Sequence, residues 1–371
     1  MILKDRSVYI YLQKAQIIYV NCLYPDGGVF DGLLYVIHVI SVRSIICRLN
    51  VDMCDYPNFG FSSIFATKRS MKKLLISISL ILASLSASSK IPVYIMAGQS
   101  NADGRALVSE MPEGIQDYVK ENGSDLIMMS YCNGTTRKEL GTFEKYVPMY
   151  ESNSSKYCGF DAVVYDMIAR KTGKKLYVIK QAKGGTAIDT LCKSSASLYW
   201  NADPEWLKDA GIADYDRKTK VTNGKSLLLQ LEANIDACLK TLMEENKGDY
   251  EIMCVIWHQG EGDRKRAANY YENLKALVSH LRQHIVEVTG DKKYASLPFI
   301  AGSVSRDSKQ YSSTIEDSKL KIADEDSNFH VVNLDGCELR ADDNLHFNAA
   351  GCIEAGTRMY DKLKELGLVY D

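Results

Sequence analysis

What this chain lacks narrows its function before any motif is read. No apolar run reaches the roughly 18–20 residues that a bilayer-spanning helix requires. No basic stripe is present: 45 Lys and Arg stand against 47 Asp and Glu, a formal net charge of −2, which argues against nucleic acid and anionic membrane surfaces as partners. The ten cysteines are irregularly spaced without a CxxC pair, so no zinc signature can be read. His280 and His284 have i, i+4 spacing but no HExxH context, which predicts a solvated helix face and no bound metal. There is no internal repeat, no low-complexity linker and no long apolar segment suited to a lid.

What is present is ordinary globular material: 371 residues, 46% hydrophobic and 25% charged, ample for a full core. The first ninety residues stand apart. From Met71, a basic start (Lys72, Lys73), an apolar stretch (Leu74–Leu85) and then small residues read as a secretory signal, too short for an internal anchor. The expected organisation is therefore residues 1–70 as an upstream stretch translated by an over-extended reading frame, 71–89 as the signal peptide, and 90–371 as a single secreted or periplasmic domain with no stable membrane insertion. Export permits disulfides, and Cys132 with Cys158 or Cys192 is one option. Most of the seven cysteines beyond Met71 are expected to be small core residues.

Past Lys90, short apolar runs alternate with amphipathic helical patterns. Val93–Ala97, Leu176–Gln181, Ile252–His258, Pro298–Gly302 and His330–Leu334 read as strands. Helices are expected over Phe160–Lys171, Ser226–Asn246, Ala267–Val288, Thr314–Asp324 and Ala349–Leu366, four of them stopped by Gly173, Gly248, Gly290 and Gly367. In the third, Ala267, Tyr271, Leu274, Val278, Leu281 and Ile285 form one stripe. Strands buried on both faces and separated by helices imply a three-layer α/β/α sandwich around a mainly parallel sheet of about five strands. Asp103–Tyr157 and Thr186–Asn223 read as long irregular walls.

Ligands of such sheets sit beyond the carboxyl ends of the strands, where the polar motifs fall. Gly98-Gln-Ser-Asn101 follows the first strand, Lys183-Gly-Gly-Thr186 the second, His258-Gln-Gly-Glu-Gly-Asp263 the third, and Asp343-Asn-Leu-His346 precedes the last helix. A serine hydroxyl becomes a nucleophile only when a base takes its proton and a third group orients that base. Ser100, His346 and Asp343 supply those residue types. Taken singly, Ser100 and Asp343 could each be a helix cap, and Gly184-Gly185 a common turn. His258 reads as a supporting residue rather than a second base.

The ordered set GQSN, GGT, WHQGE and DNLHFN resembles the SGNH (GDSL-like) hydrolases, in the carbohydrate-esterase branch that includes sialate O-acetylesterases and acetylxylan esterases. The resemblance runs from about Ile91 to Leu366. It implies the flavodoxin-like SGNH hydrolase fold, Ser100 as nucleophile, His346 as base and Asp343 as its orienting carboxylate. It also implies an oxyanion hole from the Ser100 N–H, an N–H of Gly184 or Gly185 and the Gln259 amide. Glu261, Gln99 and Asn101 are candidate auxiliaries, Glu261 as a further partner of the histidine. No cofactor is implied.

The expected reaction is removal of O-acetyl groups from a carbohydrate of the sialic acid or xylan type. A short-chain lipid esterase or thioesterase, or a glycan binder without turnover, are the alternatives. Tyr146, Tyr150, Tyr157, Tyr199, Trp200 and Trp206 fall in the two long walls and could stack on sugar rings or pack beneath the loops. Of these Trp200 is the candidate sugar contact, and Arg105 could bind a sugar carboxylate or pair with a nearby acid.

Overall fold

The computed structural model describes residues 90–135, 139–148, 157–246 and 249–369, together with the backbone of three strands nearer the N-terminus. Those strands, Val8–Leu12, Ile18–Leu23 and Val29–Leu34, pair antiparallel in sequence order, within a stretch that shows no clear period. The chain divides into two compact units, Met1–Ser89 and Lys90–Asp371. The signal-peptide reading at 71–89 falls outside the described residues.

The second unit is built on a seven-stranded sheet. In chain order its strands are β1 (Ile91–Gly98), β2 (Ile127–Cys132), β3 (Glu144–Lys145), β4 (Leu176–Ala182), β5 (Tyr250–His258), β6 (Phe299–Gly302) and β7 (Phe329–Val332), arranged β7-β6-β5-β1-β4-β2-β3. All neighbours are parallel except β2 and β3. The five expected strands are present, and β2 and β3 add two where an irregular wall was expected. The main helices are α1 (Ser100–Asp103), α2 (Glu113–Lys120), α3 (Asp161–Thr172), α4 (Pro204–Ala210), α5 (Leu227–Asn246), α6 (Tyr270–Thr289), α7 (Ser313–Glu325) and α8 (Ala349–Glu365).

Strand alternation explains the layers. Along β1, Tyr94 and Met96 face a core shared with Phe160, Val164 and Ile168 of the α3 region and Ala355 and Met359 of α8. Val93, Ile95 and Ala97 face the opposite core, with Leu231 and Ile235 of α5, Leu274 and Leu281 of α6 and Ile322 of α7. The buried stripe of α6 starts at Tyr270, not Ala267, and leaves Tyr271 only half-buried, because residues 261–269 form a 3₁₀ segment that shifts the helix start by three residues. All seven cysteines from Cys132 to Cys352 are unbridged and buried.

Register sets the position of the loops. Gly98 pairs with both His258 and Ala182, so β1, β4 and β5 end level at one edge. After β4 the chain crosses to the far side of β1 to lay down β5, β6 and β7, which makes the end of β1 the switch point of the sheet. Gly98 has φ +146, and a Cβ there would lie 2.1 Å from the His258 carbonyl oxygen, so only glycine lets β1 turn against β5.

Candidate active site

Ser100 opens α1 directly beyond that turn and is nearly buried, at 5% exposure. Gly184, in the loop after β4, lies against it: a Cβ on Gly184 would come 3.3 Å from Ser100 Cβ. Gly185 follows in the left-handed region, at φ +71, with its carbonyl accepting from the Ser195 N–H.

The last segment of the site is a compact turn. Asp343 Oδ1 accepts the N–H groups of Leu345 and His346, and Oδ2 lies 2.7 Å from His346 Nδ1. Burial pulls the Asp343 carboxyl upward, but the His346 ring and the two N–H groups hold it below the ordinary carboxylate value. The carboxylate therefore fixes the ring and leaves its other nitrogen available.

Asn101 ties this turn to the loop after β1. Its Nδ2 donates to the Leu345 carbonyl (3.4 Å) and its Oδ1 accepts the Phe347 N–H (3.1 Å), so one side chain, adjacent to Ser100, grips the backbone on both sides of His346. The same Nδ2 donates to Glu261 Oε1 at 3.2 Å. A second tie comes from Arg340, whose Nη1 donates to the Arg105 carbonyl.

The loop after β5 is more deeply buried than its motif suggests. Gln259 is fully buried; its Nε2 donates to the Thr186 carbonyl (3.2 Å) and to Asp263 Oδ2 (2.5 Å), and its Oε1 accepts from the Tyr270 hydroxyl. Both amide hydrogens are thus committed, which takes Gln259 out of the oxyanion-donor role the resemblance assigned to it. Its work is to lock the β4 and β5 loops together. Asp263 completes the lock by accepting the N–H groups of Ile188 and Asp189, although burial pushes its carboxyl up to about 6. Asp263, Tyr270 and the buried Lys319 were not singled out by sequence. Lys319 does leave a trace, as a lysine on the apolar Ile315–Ile322 stripe of α7.

His258 is fully buried between the rings of Phe160 and Phe347, with centroids at 5.8 and 5.7 Å. Burial drops its pKa to about 4, which keeps it neutral and supporting. Trp200 is not a sugar contact. It is 0% exposed, stands edge-on to Trp257 at 5.2 Å and donates through Nε1 to Thr186 Oγ1, so it holds the loop after β4 from beneath. Tyr146 is buried as well, and Tyr150 lies outside the described residues. Arg105 pairs with buried Asp103 at 2.9 Å, while its guanidinium also lies beside Gly184. His280 and His284 are not a free solvated face, since they pair across to Glu232 (2.7 Å) and Asp236 (2.8 Å) of α5.

Beside the loop after β1 is a cleft of about 360 Å³, lined among others by Gln99, Gly185, Lys193, Gly262, Arg264 and Lys265. None of its described lining residues is acidic. Gln99 is 2% exposed, and its Oε1 is pinned by the Gly262 N–H.

Residues 225–365 match the family of carbohydrate esterases described as sialic acid-specific acetylesterases. Among solved structures, an Arabidopsis thaliana protein is similar with TM-score 0.50 and 18% identity over 74% of this chain and 98% of its own. NanS is similar with TM-score 0.50 and 12% identity over 76% of this chain and 98% of its own. No curated protein sequence matches the chain. At these identities the solved structures speak for the fold alone, and the family match, over residues 225–365, supports a carbohydrate esterase.

Proposed function

We propose that the chain is a serine esterase that removes O-acetyl groups from a carbohydrate, with Ser100 as nucleophile, His346 as general base and Asp343 as the group that orients it. The observation that carries this reading is Asn101, next to Ser100, hydrogen-bonded to the backbone on both sides of His346.

In this mechanism His346 takes the Ser100 proton as Oγ attacks the acetyl carbonyl carbon. The tetrahedral oxyanion meets backbone N–H groups at Ser100 and the Gly184-Gly185 turn, donors of a kind worth about 2.7–4 kcal/mol of barrier each. The imidazolium then gives its proton to the departing sugar oxygen, and water, deprotonated by the same ring, releases acetate from Ser100. With Gln259 committed elsewhere and the Asn101 amide spent on Glu261 and Leu345, the Gln99 amide at the cleft wall is the other side-chain donor adjacent to the nucleophile in sequence.

The cleft bears on the substrate. Lys193, Arg264 and Lys265 without an acidic neighbour in its lining favour a sugar carrying an anionic group, such as sialic acid, over a neutral xylan chain. Secretion through a signal at 71–89 belongs to the same reading.

Hydrolysis of p-nitrophenyl acetate and acetate release from O-acetylated sialic acid and acetylated xylan test it together. Ser100→Ala should lower kcat by about 10³-fold or more on every substrate. Retention of activity in that variant would refute the nucleophile, and a preference for xylan would refute the reading of the cleft.

A further inference from the structure

Glu261 is a fully buried carboxylate that the reaction above does not use. The family resemblance offers it as a partner of the histidine, but no hydrogen bond joins the two: His346 Nδ1 is taken by Asp343, Glu261 Oε1 is taken by Asn101 Nδ2, and Oε2 is buried without a hydrogen-bond partner. Its other neighbour, His258 Nδ1, is 3.9 Å away, too far for a hydrogen bond. A buried carboxylate is costly unless something holds it. The buried cation in its field is Lys319, whose Nζ donates to the carbonyls of Gln259 and Gly302.

Resting on the serine-esterase reading, we infer that Glu261 is a positioning residue which holds the general-base segment in place through Asn101. The argument turns on the two-sidedness of the Asn101 amide. The side chain can grip the 345–347 backbone only when its nitrogen faces the Leu345 carbonyl and its oxygen faces the Phe347 N–H. An amide alone can flip. Glu261 accepts from Nδ2 and makes the flipped state unfavourable, because that state would set a carbonyl oxygen against a buried carboxylate. Residues 101, 261 and 346, far apart in sequence, are in this way linked in one relay: Lys319 steadies Glu261, Glu261 orients Asn101, and Asn101 fixes the peptide that carries His346.

The test combines kinetics on p-nitrophenyl acetate with hydrogen exchange at the Phe347 amide, in wild type, Glu261→Gln, Glu261→Ala, Asn101→Ala and the Asn101→Ala/Glu261→Ala double variant. Glu261→Gln keeps an acceptor and should stay within about threefold of wild type. Glu261→Ala should lose kcat by about 10–100-fold with KM within about twofold, since the base moves and the substrate contacts do not. The double variant should be no worse than Asn101→Ala, because Glu261 acts through that side chain. Phe347 exchange should quicken by about tenfold or more in Glu261→Ala and Asn101→Ala and stay unchanged in Glu261→Gln.

Losses that multiply in the double variant would overturn the relay, as would Glu261→Gln being as impaired as Glu261→Ala, or Phe347 protection surviving in Glu261→Ala. Should Glu261→Ala not fold, Glu261→Met, which fills the space without an oxygen acceptor, replaces it. If wild type itself fails to turn over any ester, the esterase reading falls and the exchange measurements alone decide whether the relay exists.

Discussion

At His346 one carboxylate decides which ring nitrogen is free. Asp343 Oδ2 lies 2.7 Å from Nδ1, so with the carboxylate as acceptor the ring proton sits on Nδ1 and Nε2 can receive a proton from serine. Asp343→Asn keeps the size and an oxygen for the N–H groups of Leu345 and His346, yet it can present N–H to Nδ1 and stabilise the wrong tautomer. Its kcat should fall by roughly 10²–10⁴-fold with KM and melting temperature little changed, measured by steady-state kinetics beside thermal unfolding. A variant within threefold of wild type would remove Asp343 from the triad. The Asp343–His346 contact was legible in sequence because a carboxylate three residues before an imidazole can reach it within one turn. The company of Trp200 and Gln259 was not: whether an indole stacks on a sugar or on Trp257, and whether an amide faces substrate or Asp263, depends on neighbours more than fifty residues away or on the path of the next loop.

Among the elements, legibility followed the clarity of the pattern. β1, β4 and β5 each carry an apolar run and are buried along nearly their whole length, and could be read directly. β2 could not, because Ile-Met-Met-Ser-Tyr-Cys is only partly buried and places Ser130 inward, where it donates to Asn234 of α5. β3 is two residues long and both are exposed. The α5–α6 contact was hidden for a similar reason, since the partners of His280 and His284 lie on another helix. That contact carries a pH dependence. The Glu232 carboxylate holds the half-buried His280 imidazole above its ordinary value, against the pull of burial. The pair therefore stabilises fully below the unfolded histidine value of about 6.5, and its contribution is lost as pH rises through the higher folded value. Glu232→Gln should melt about 1–3 °C below wild type near pH 5.5, corresponding to about 0.5–1 kcal/mol, and converge with it by pH 9. A gap that is the same at both pH values would show that Glu232 acts by packing and not by charge.

For the whole molecule, the question is how much chain the chemistry needs. Every residue given a role, from Gln99 to His346, lies in the unit Lys90–Asp371, and among the described residues both cores that sandwich the sheet belong to that unit. A sheet of seven strands covered on both faces has the size of core that a domain needs to fold cooperatively. If residues 1–70 are upstream of the true start and 71–89 are removed on export, a chain beginning at Lys90 is the working protein. It should match the full-length chain in kcat/KM on p-nitrophenyl acetate within about twofold, and in melting temperature within about 2 °C. The comparison is sharp because β1 starts at Ile91, whose N–H donates to the Asp249 carbonyl at the base of β5, and β1 ends two residues before Ser100, the proposed nucleophile. Any structural dependence on the preceding residues would be transmitted along this strand, lowering activity and stability together. A truncated chain that is insoluble or inactive would mean that the first 89 residues belong to the fold.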